Sequence, residues 1–356
     1  MALNLTTKYS PLIAERFKAN SFTEDSTSDR FDFDGAKSVV VYTVDKAVLH
    51  DYDREASGNR FGEISELGDT KQVLTLSQDK AFTFAIDNGN NSDQLNVKHC
   101  NEQIKSNWDE ICVPFIDKYR LNRWIYGAGI SLASAVPSKT TIIEKIFALG
   151  NEMTARGVPL KNRTLFISLG QYNNLKQAGE VIGSEALGTE SISKGVVGSI
   201  DGMNIVPVPE AYLPTGLYFM IKHKDASVDP MKLKTLRVQK NPVGIDGDVG
   251  ECRFYFDSFV LDPKLNGIAI CGGTADVCAM PTITATTNGV IVAGTVNSTN
   301  RYTTDGSNPK TSDTAQDFTG GTSATLALSG PCRVRVYIIP QNTRVVSGVS
   351  EFNYVG

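Results

Sequence analysis

Residues 53–69, DREASGNRFGEISELGD, decide how the rest of the chain is read. Seven of the seventeen residues are charged, both signs are mixed, and three are glycine. Such a segment has too little apolar mass to pack on its own domain. Strand-like sequence nevertheless flanks it. SVVVYTV (Ser38–Val44) precedes it, while residues 73–76 and the alternating Phe82-Thr83-Phe84-Ala85-Ile86 follow. β-Branched and aromatic residues dominate these runs. The expected shape is a long hairpin-like excursion, which is either an ordinary surface loop or a segment whose tip is ordered by another surface.

Downstream, Ser92 or Asp93 caps a long helix expected to reach about residue 125. Val97, Cys100, Ile104, Trp108, Ile111, Phe115 and Tyr119 recur at steps of three or four and give it one apolar face. Pro114 lacks an amide donor and crowds the preceding turn, so a bend or break is expected there. A second helix is expected over 139–156, with Ile142, Ile143, Ile146, Leu149 and Met153 buried and Gly157 and Pro159 ending it. A short strand over 164–168 leads into a short helix at about 171–178. Asp201-Gly202 reads as a tight turn, and residues 217–221, 236–238, 253–261 and 267–270 read as extended. Residues 1–37 turn polar after a short amphipathic stretch. They read equally as a frayed terminus or as an arm across a neighbouring subunit.

Composition changes near Pro281. The remaining 76 residues hold 14 threonines, only nine charged residues and no helical period. Ile283, Val290, Ile291, Val334, Val336, Ile338 and Val345-Val346 mark short strands between turns, the pattern of a small β-sandwich. The fold class is therefore α+β with an appended β domain.

A chain of 356 residues can bury a substantial core. Its net charge of −4, from 35 basic and 39 acidic residues, lacks the basic balance of a protein that coats nucleic acid through its phosphates. Met1-Ala2-Leu3-Asn4 carries no basic region followed by an apolar stretch, so cytoplasmic synthesis is expected. Residues 126–136 amount to about half a membrane span, and no membrane association is expected. The six cysteines read as reduced and packed. Cys100 and Cys112 would lie about 18 Å apart on a straight helix, and no second cysteine or histidine pair joins Cys271 and Cys278 in a zinc pattern.

Motifs for chemistry are missing. His50, His99 and His223 stand far apart, and neither a nucleophile elbow nor a phosphate-binding loop occurs. Asp246-Gly247-Asp248 offers oxygens to a hard cation, but the spaced ligands of a calcium loop do not follow, and a glycine-rich turn is the better reading. Phe254, Tyr255, Phe256 and Phe259 read as strand packing rather than as nucleic-acid stacking. No catalytic, cofactor-binding or metal-binding residue is assigned, no cofactor is expected, and the chain is not read as an enzyme.

The opening LTTKYSPLIAERF, the excursion DREASGNRFGEISELGD, the run ICVPFIDKYRLNRW and GVVGSIDGMNIVPVPEAYLP, in that order, resemble the major capsid proteins of tailed bacteriophages with the HK97-like fold. The resemblance implies an N-terminal arm at 1–37, strands and an extended loop at 38–92, and a peripheral domain with a spine helix at 93–169. It further implies an axial domain at 170–240 and a return to the peripheral domain at 241–280. Proteins of this family form hexamers and pentamers of an icosahedral shell, with the extended loop over an adjacent subunit. The implied setting is the virion, enclosing double-stranded DNA without sequence-specific binding, with portal, scaffolding and decoration proteins as partners. Arg54, Glu55, Arg60, Glu63 and Glu66 are the expected inter-subunit contacts. Domain 281–356, through RYTTDGSNP, resembles the immunoglobulin-like C-terminal module of chitobiase and β-hexosaminidase. That resemblance implies an outer-surface loop at Asp305, Gly306, Ser307 and Asn308 and contact with host-surface glycans. The competing readings are a tube-forming or other phage structural protein, an extracellular carbohydrate-binding or adhesion protein, against which the missing export signal counts, and a hydrolase, which needs convergent carboxylates or a nucleophile with its base.

Overall fold

Apolar runs separated by turns build the centre of the molecule. The computed structural model describes residues 21–28, 38–44, 52, 54–55, 58–61, 66, 69–93, 99–178, 182–183, 198–286, 288–294, 298–319, 323–328, 330, 332–341 and 345–354. The first elements are β1 (Ser38–Val44), β2 (Asp69–Thr75), β3 (Gln78–Asp87), α1 (Asn88–Asp93), α2 (Cys100–Asn107) and α3 (Val113–Tyr126). Then come β4 (Ile130–Ser134), α4 (Ile142–Ala155), β5 (Arg163–Ser168), α5 (Leu169–Gln177), β6 (Ile182–Gly183), β7 (Gly198–Ile200), β8 (Met203–Val208) and β9 (Leu217–His223). β10 (Ser227–Val228), β11 (Met231–Lys240), β12 (Gly247–Phe256), β13 (Phe259–Val260) and β14 (Ile268–Gly273) follow. Beyond residue 280 lie β15 (Thr282–Thr286), β16 (Gly289–Ala293), β17 (Ser298–Thr303), β18 (Gln316–Thr319), β19 (Ser323–Ala327), β20 (Cys332–Pro340) and β21 (Ser350–Tyr354).

A seven-stranded mixed sheet, ordered β4-β14-β9-β5-β8-β7-β6, carries a core on each face. Leu165, Ile167, Ile205 and Phe219 pack with Ile146 and Leu149 of α4 on one side. Phe166, Met220 and Ile270 pack with Leu121 and Trp124 of α3 on the other. Strands buried on both faces need continuous apolar runs, which explains why Leu165-Phe166-Ile167 shows no alternation. α4 buries Ile142, Ile146, Leu149 and Met153 as its spacing predicts, while Ile143, expected with them, is only half-buried against that core. It ends where Gly157 takes φ +80° and the Val158 and Gly157 amides return to the Met153 and Thr154 carbonyls. The Asp201-Gly202 turn links β7 and β8 with both residues at positive φ, as expected.

The spine differs from its sequence pattern. α2, a π-helical turn at Trp108–Cys112 and α3 run on as one helical segment. Pro114 has no N–H, so the preceding turn widens instead of breaking. Widening shifts the phase by one residue. Cys112 and Ile116 are buried after Trp108, while Ile111 and Phe115, expected on the apolar face, are exposed. The buried side lies on the antiparallel sheet β11-β12-β3, where Trp108 meets Phe254 edge-on and Tyr119 meets Phe256. Residues 241–246 join β11 to β12; Gly247 and Asp248 already belong to β12, and a side chain at Gly247 would collide with the Ile86 carbonyl. No disulfide joins the six cysteines, and burial pushes the Cys112 thiol up to about 12.

Residues beyond 280 form two antiparallel sheets, β15-β16-β19 and β18-β17-β20-β21. Val290 and Val292 of one meet Val334 and Val336 of the other in a shared core. This is the two-sheet sandwich that the strand spacing predicts. Among the described residues, no helix is long and apolar enough to cross a membrane.

Candidate functional site

The excursion starts from a firm root. β1 and β2 pair antiparallel over Ser38–Thr75 to Val44–Asp69. One face of this ribbon buries Val41 and Leu74, which pack with Leu76, Val228, Phe259 and Leu261. Gln72 Nε2 donates to the Val260 carbonyl at 2.9 Å, and its Oε1 accepts the Asp262 amide at 3.1 Å. At the ribbon's base, buried Asp257 accepts the Ser77 amide and hydroxyl, each at 2.8 Å, and the Tyr119 hydroxyl at 2.7 Å. Burial and that bond to Asp257 push the Tyr119 phenol up.

The ribbon's other face is apolar and uncovered. Val40, Tyr42, Val44 and Val73 are exposed, Tyr42 at 64%. Further out, Tyr52 and Phe61 touch edge-on at 5.1 Å, and Phe61 is 79% exposed. Of the expected inter-subunit contacts, Arg54, Glu55, Arg60 and Glu66 are exposed, and Glu63 lies outside the described residues. Arg54, Glu55 and Arg60 are sequence neighbours of an aromatic pair, Tyr52 and Phe61, that sequence reading did not single out.

A second polar cluster anchors residues 21–28 on the spine. Ser21 and Thr23 hydroxyls donate to Asp117 Oδ1 at 2.7 and 2.6 Å, and the Phe22 amide donates to Oδ2 at 2.8 Å. Arg120 Nη1 donates to Thr23 Oγ1 at 3.2 Å. Fully buried Lys222 donates to the Ser26 carbonyl and lies over the Trp124 ring at 4.2 Å. Burial lowers its pKa to about 8. Asp229 accepts Trp124 Nε1 at 3.0 Å and the hydroxyls of Ser227 and Ser258. Part of the expected arm therefore lies on its own subunit; residues 1–20 and 29–37 lie outside the described residues. The available signal was a charge inside an apolar strand, as at Ile221-Lys222.

The loop expected on the outer surface is half turned inward. Asp305 is exposed, Gly306 and Ser307 are half-buried, and Asn308 is buried. Asn308 Nδ2 donates to Asp262 Oδ1 at 2.6 Å, and Thr311 Oγ1 donates to Oδ2 at 2.9 Å. Burial raises the Asp262 pKa against these two bonds. Lys310 Nζ reaches the Tyr126 and Ala128 carbonyls at 3.1 and 2.7 Å, at the end of the spine. The residue is half-buried, and burial lowers its pKa to about 7. Asn308 is a junction residue in the free chain, where it donates to a half-buried carboxylate. Among the described residues, no group of three or more His, Cys, Asp or Glu is placed to hold a metal ion.

No described protein family and no curated protein matches the sequence. Solved structures do match. A chain from Mycobacterium phage Che8 superposes with a TM-score of 0.60 at 17% identity, covering 76% of this chain and 98% of that one. A chain of the capsid of Cyanophage P-SCSP1u gives 0.59 at 16% identity, over 76% and 93%. A chain of the mature capsid of bacteriophage PhiM1 gives 0.57 at 13% identity, over 77% and 92%. The likeness lies in the fold: this chain is a mixed α and β protein with the HK97-like fold of phage capsid chains.

Proposed function

We propose that this protein is a major capsid subunit that self-assembles into hexamers and pentamers of an icosahedral shell around double-stranded DNA. Its role is structural, not enzymatic. The observation that carries the reading is the β1–β2 ribbon, rooted on the body by one face and bare and apolar on the other. Its cover is the adjacent subunit, and repetition around a closed lattice adds many modest contacts. The Tyr52–Phe61 pair supplies apolar area at the tip. Arg54, Glu55, Arg60, Glu63 and Glu66 set register and angle, since exposed ion pairs each contribute only about 0–1 kcal/mol. The mildly acidic composition suits a shell whose DNA is enclosed rather than gripped through its phosphates. Portal, scaffolding and decoration proteins are the partners that such a shell implies, and the virion is its location.

Deleting residues 55–66 tests the reading. A soluble, folded subunit that forms no shells by electron microscopy and sedimentation is expected. Normal shells from the deletion would reject the lattice role.

A further inference from the structure

β11 stands at one edge of the sheet β11-β12-β3, and among the described residues no strand pairs with its outer side. Such an edge presents a row of outward amide and carbonyl groups along its ten residues. The edge at β4 is treated differently. There the Val349 amide donates to the Gly129 carbonyl and the Gly348 amide to Ser131 Oγ, each at 2.8 Å, so the chain's own C-terminal part lies across it. β11 has charge in place of a cover. Lys232, Lys234, Arg237 and Lys240 are its charged residues, all of one sign. A groove of about 420 Å³ runs between β11 and the spine. Lys234, Leu236 and Val238 line it from the spine side of the strand, and Arg237, whose side chain belongs to the opposite face, lines it too. The groove therefore reaches round the free edge. Its deep wall is Ile104 and Trp108, the Lys234 ammonium lies 3.8 Å from the Trp108 ring centre, and Leu236 is 44% exposed.

Charge on an edge strand acts in two ways. Two copies of β11 repel each other, which keeps subunits from pairing edge to edge through this strand. An extended segment with acidic side chains meets the opposite field and an open main chain. Lys105 of α2 adds a further cation beside the groove, against the single acid Asp109, while Glu251 of β12 holds Arg237 in place. We propose that the free edge of β11 takes an extended acidic segment of another polypeptide, which adds to the sheet as a fourth strand. Its main chain bonds to the outward groups of β11, its carboxylates face Lys105, Lys234 and Lys240, and one apolar side chain covers Leu236. Exposed ion pairs add little affinity, so the main-chain bonds supply it and the cations select the sign and register of the partner. The inference concerns the free chain and stands whether or not the shell reading does.

The full chain is titrated by fluorescence anisotropy with a dye-labelled peptide the length of β11 that alternates glutamate and valine. Saturable binding is expected, and it is expected to slow hydrogen exchange of the amides of residues 231–240 by about tenfold or more. The lysine and valine counterpart is expected not to bind, because its sign is wrong. The glutamate peptide N-methylated along its middle is expected not to bind either, because it has lost its main-chain donors. That arm uses the unaltered chain, so folding does not enter. Lys234→Glu is expected to weaken binding roughly tenfold. Lys161→Glu, the same change of charge at an exposed position outside the groove, is expected to bind normally. No binding at about 1 mM peptide, or undiminished binding of the N-methylated peptide, would overturn the inference. Protection of residues 231–240 that rises with the concentration of the chain alone would assign the edge to a second copy and overturn it as well.

Discussion

The β1–β2 ribbon and the C-terminal sandwich hang from the same body, and they are held in opposite ways. The sandwich has a private core, Val290, Val292, Val334 and Val336, and is then bolted on. Its Leu265-facing side buries Tyr337 and Val349, the Val349 amide donates to the Gly129 carbonyl at 2.8 Å, and Lys310 completes the end of the spine. The ribbon has no core of its own. It borrows one face from β10, β13 and the following turn and leaves the other to water. The contrast teaches how to tell an appendage that is finished in the free subunit from one that is not. The finished one covers its apolar area within the chain. The unfinished one satisfies only its root.

The largest effect is expected where the ribbon is rooted. Leu74 is 1% exposed in that small cluster. Leu74→Ala removes apolar contact and leaves a cavity, at a cost of about 2–5 kcal/mol. Because the ribbon has no other core, the loss is expected to appear as detachment of residues 38–44 and 69–75 in hydrogen exchange, with the sandwich unchanged. Equal loss of protection in both appendages would break the contrast.

The junction of the sandwich should respond to pH. Lys310 titrates near 10.5 when exposed and at about 7 when folded. Between those values the unfolded chain holds the extra proton, so this residue's contribution to stability rises with pH from about 7 to 10.5. Below about 7 the full cost of burying its charge is present. Lys222, at about 8, acts in the same direction. Lys310→Met is therefore expected to flatten the rise of stability across this window relative to the parent chain. At neutral pH the variant shifts stability by about 1–3 kcal/mol as the Tyr126 and Ala128 carbonyls lose their donor while a buried charge is relieved. Denaturant midpoints at pH 7 and pH 10 measure both. An unchanged pH slope would mean that the ammonium is not enclosed.

Much of this was legible in local signals. α4 carries its stripe and its glycine terminator within one window, and β5, β9 and the strands of the sandwich are bounded by their own turns. The spine was legible as an element but not in phase. Whether Pro114 breaks, bends or widens a helix depends on the β11-β12-β3 sheet beneath it, and that decision moved burial from Ile111 and Phe115 to Cys112 and Ile116. The partners of the Asp117, Lys222 and Asp229 cluster were illegible because they lie 94 to 196 residues apart in sequence. The turn at Asp305-Gly306 was legible as a turn, but the bond of Asn308 to Asp262 was not, since turn chemistry fixes local geometry and not what the turn packs against.

The smallest effect on the free subunit, and the sharpest use of the comparison, belongs to Tyr42. Its ring stands on the uncovered side of β1, opposite Lys71 of β2, and is 64% exposed. A side chain that already contacts water loses little when shortened, so Tyr42→Ser is expected to change subunit stability by no more than about 0.5 kcal/mol. Assembly is another matter. If a neighbouring subunit covers this face, the same change removes a buried aromatic from every copy of the contact, and sedimentation should show subunits or small oligomers in place of shells. A variant that loses stability as a monomer would show that the ribbon's outer face is already packed. One that assembles normally would show that another surface closes the lattice. Either result moves the ribbon into the class of the sandwich, an appendage complete within its own chain.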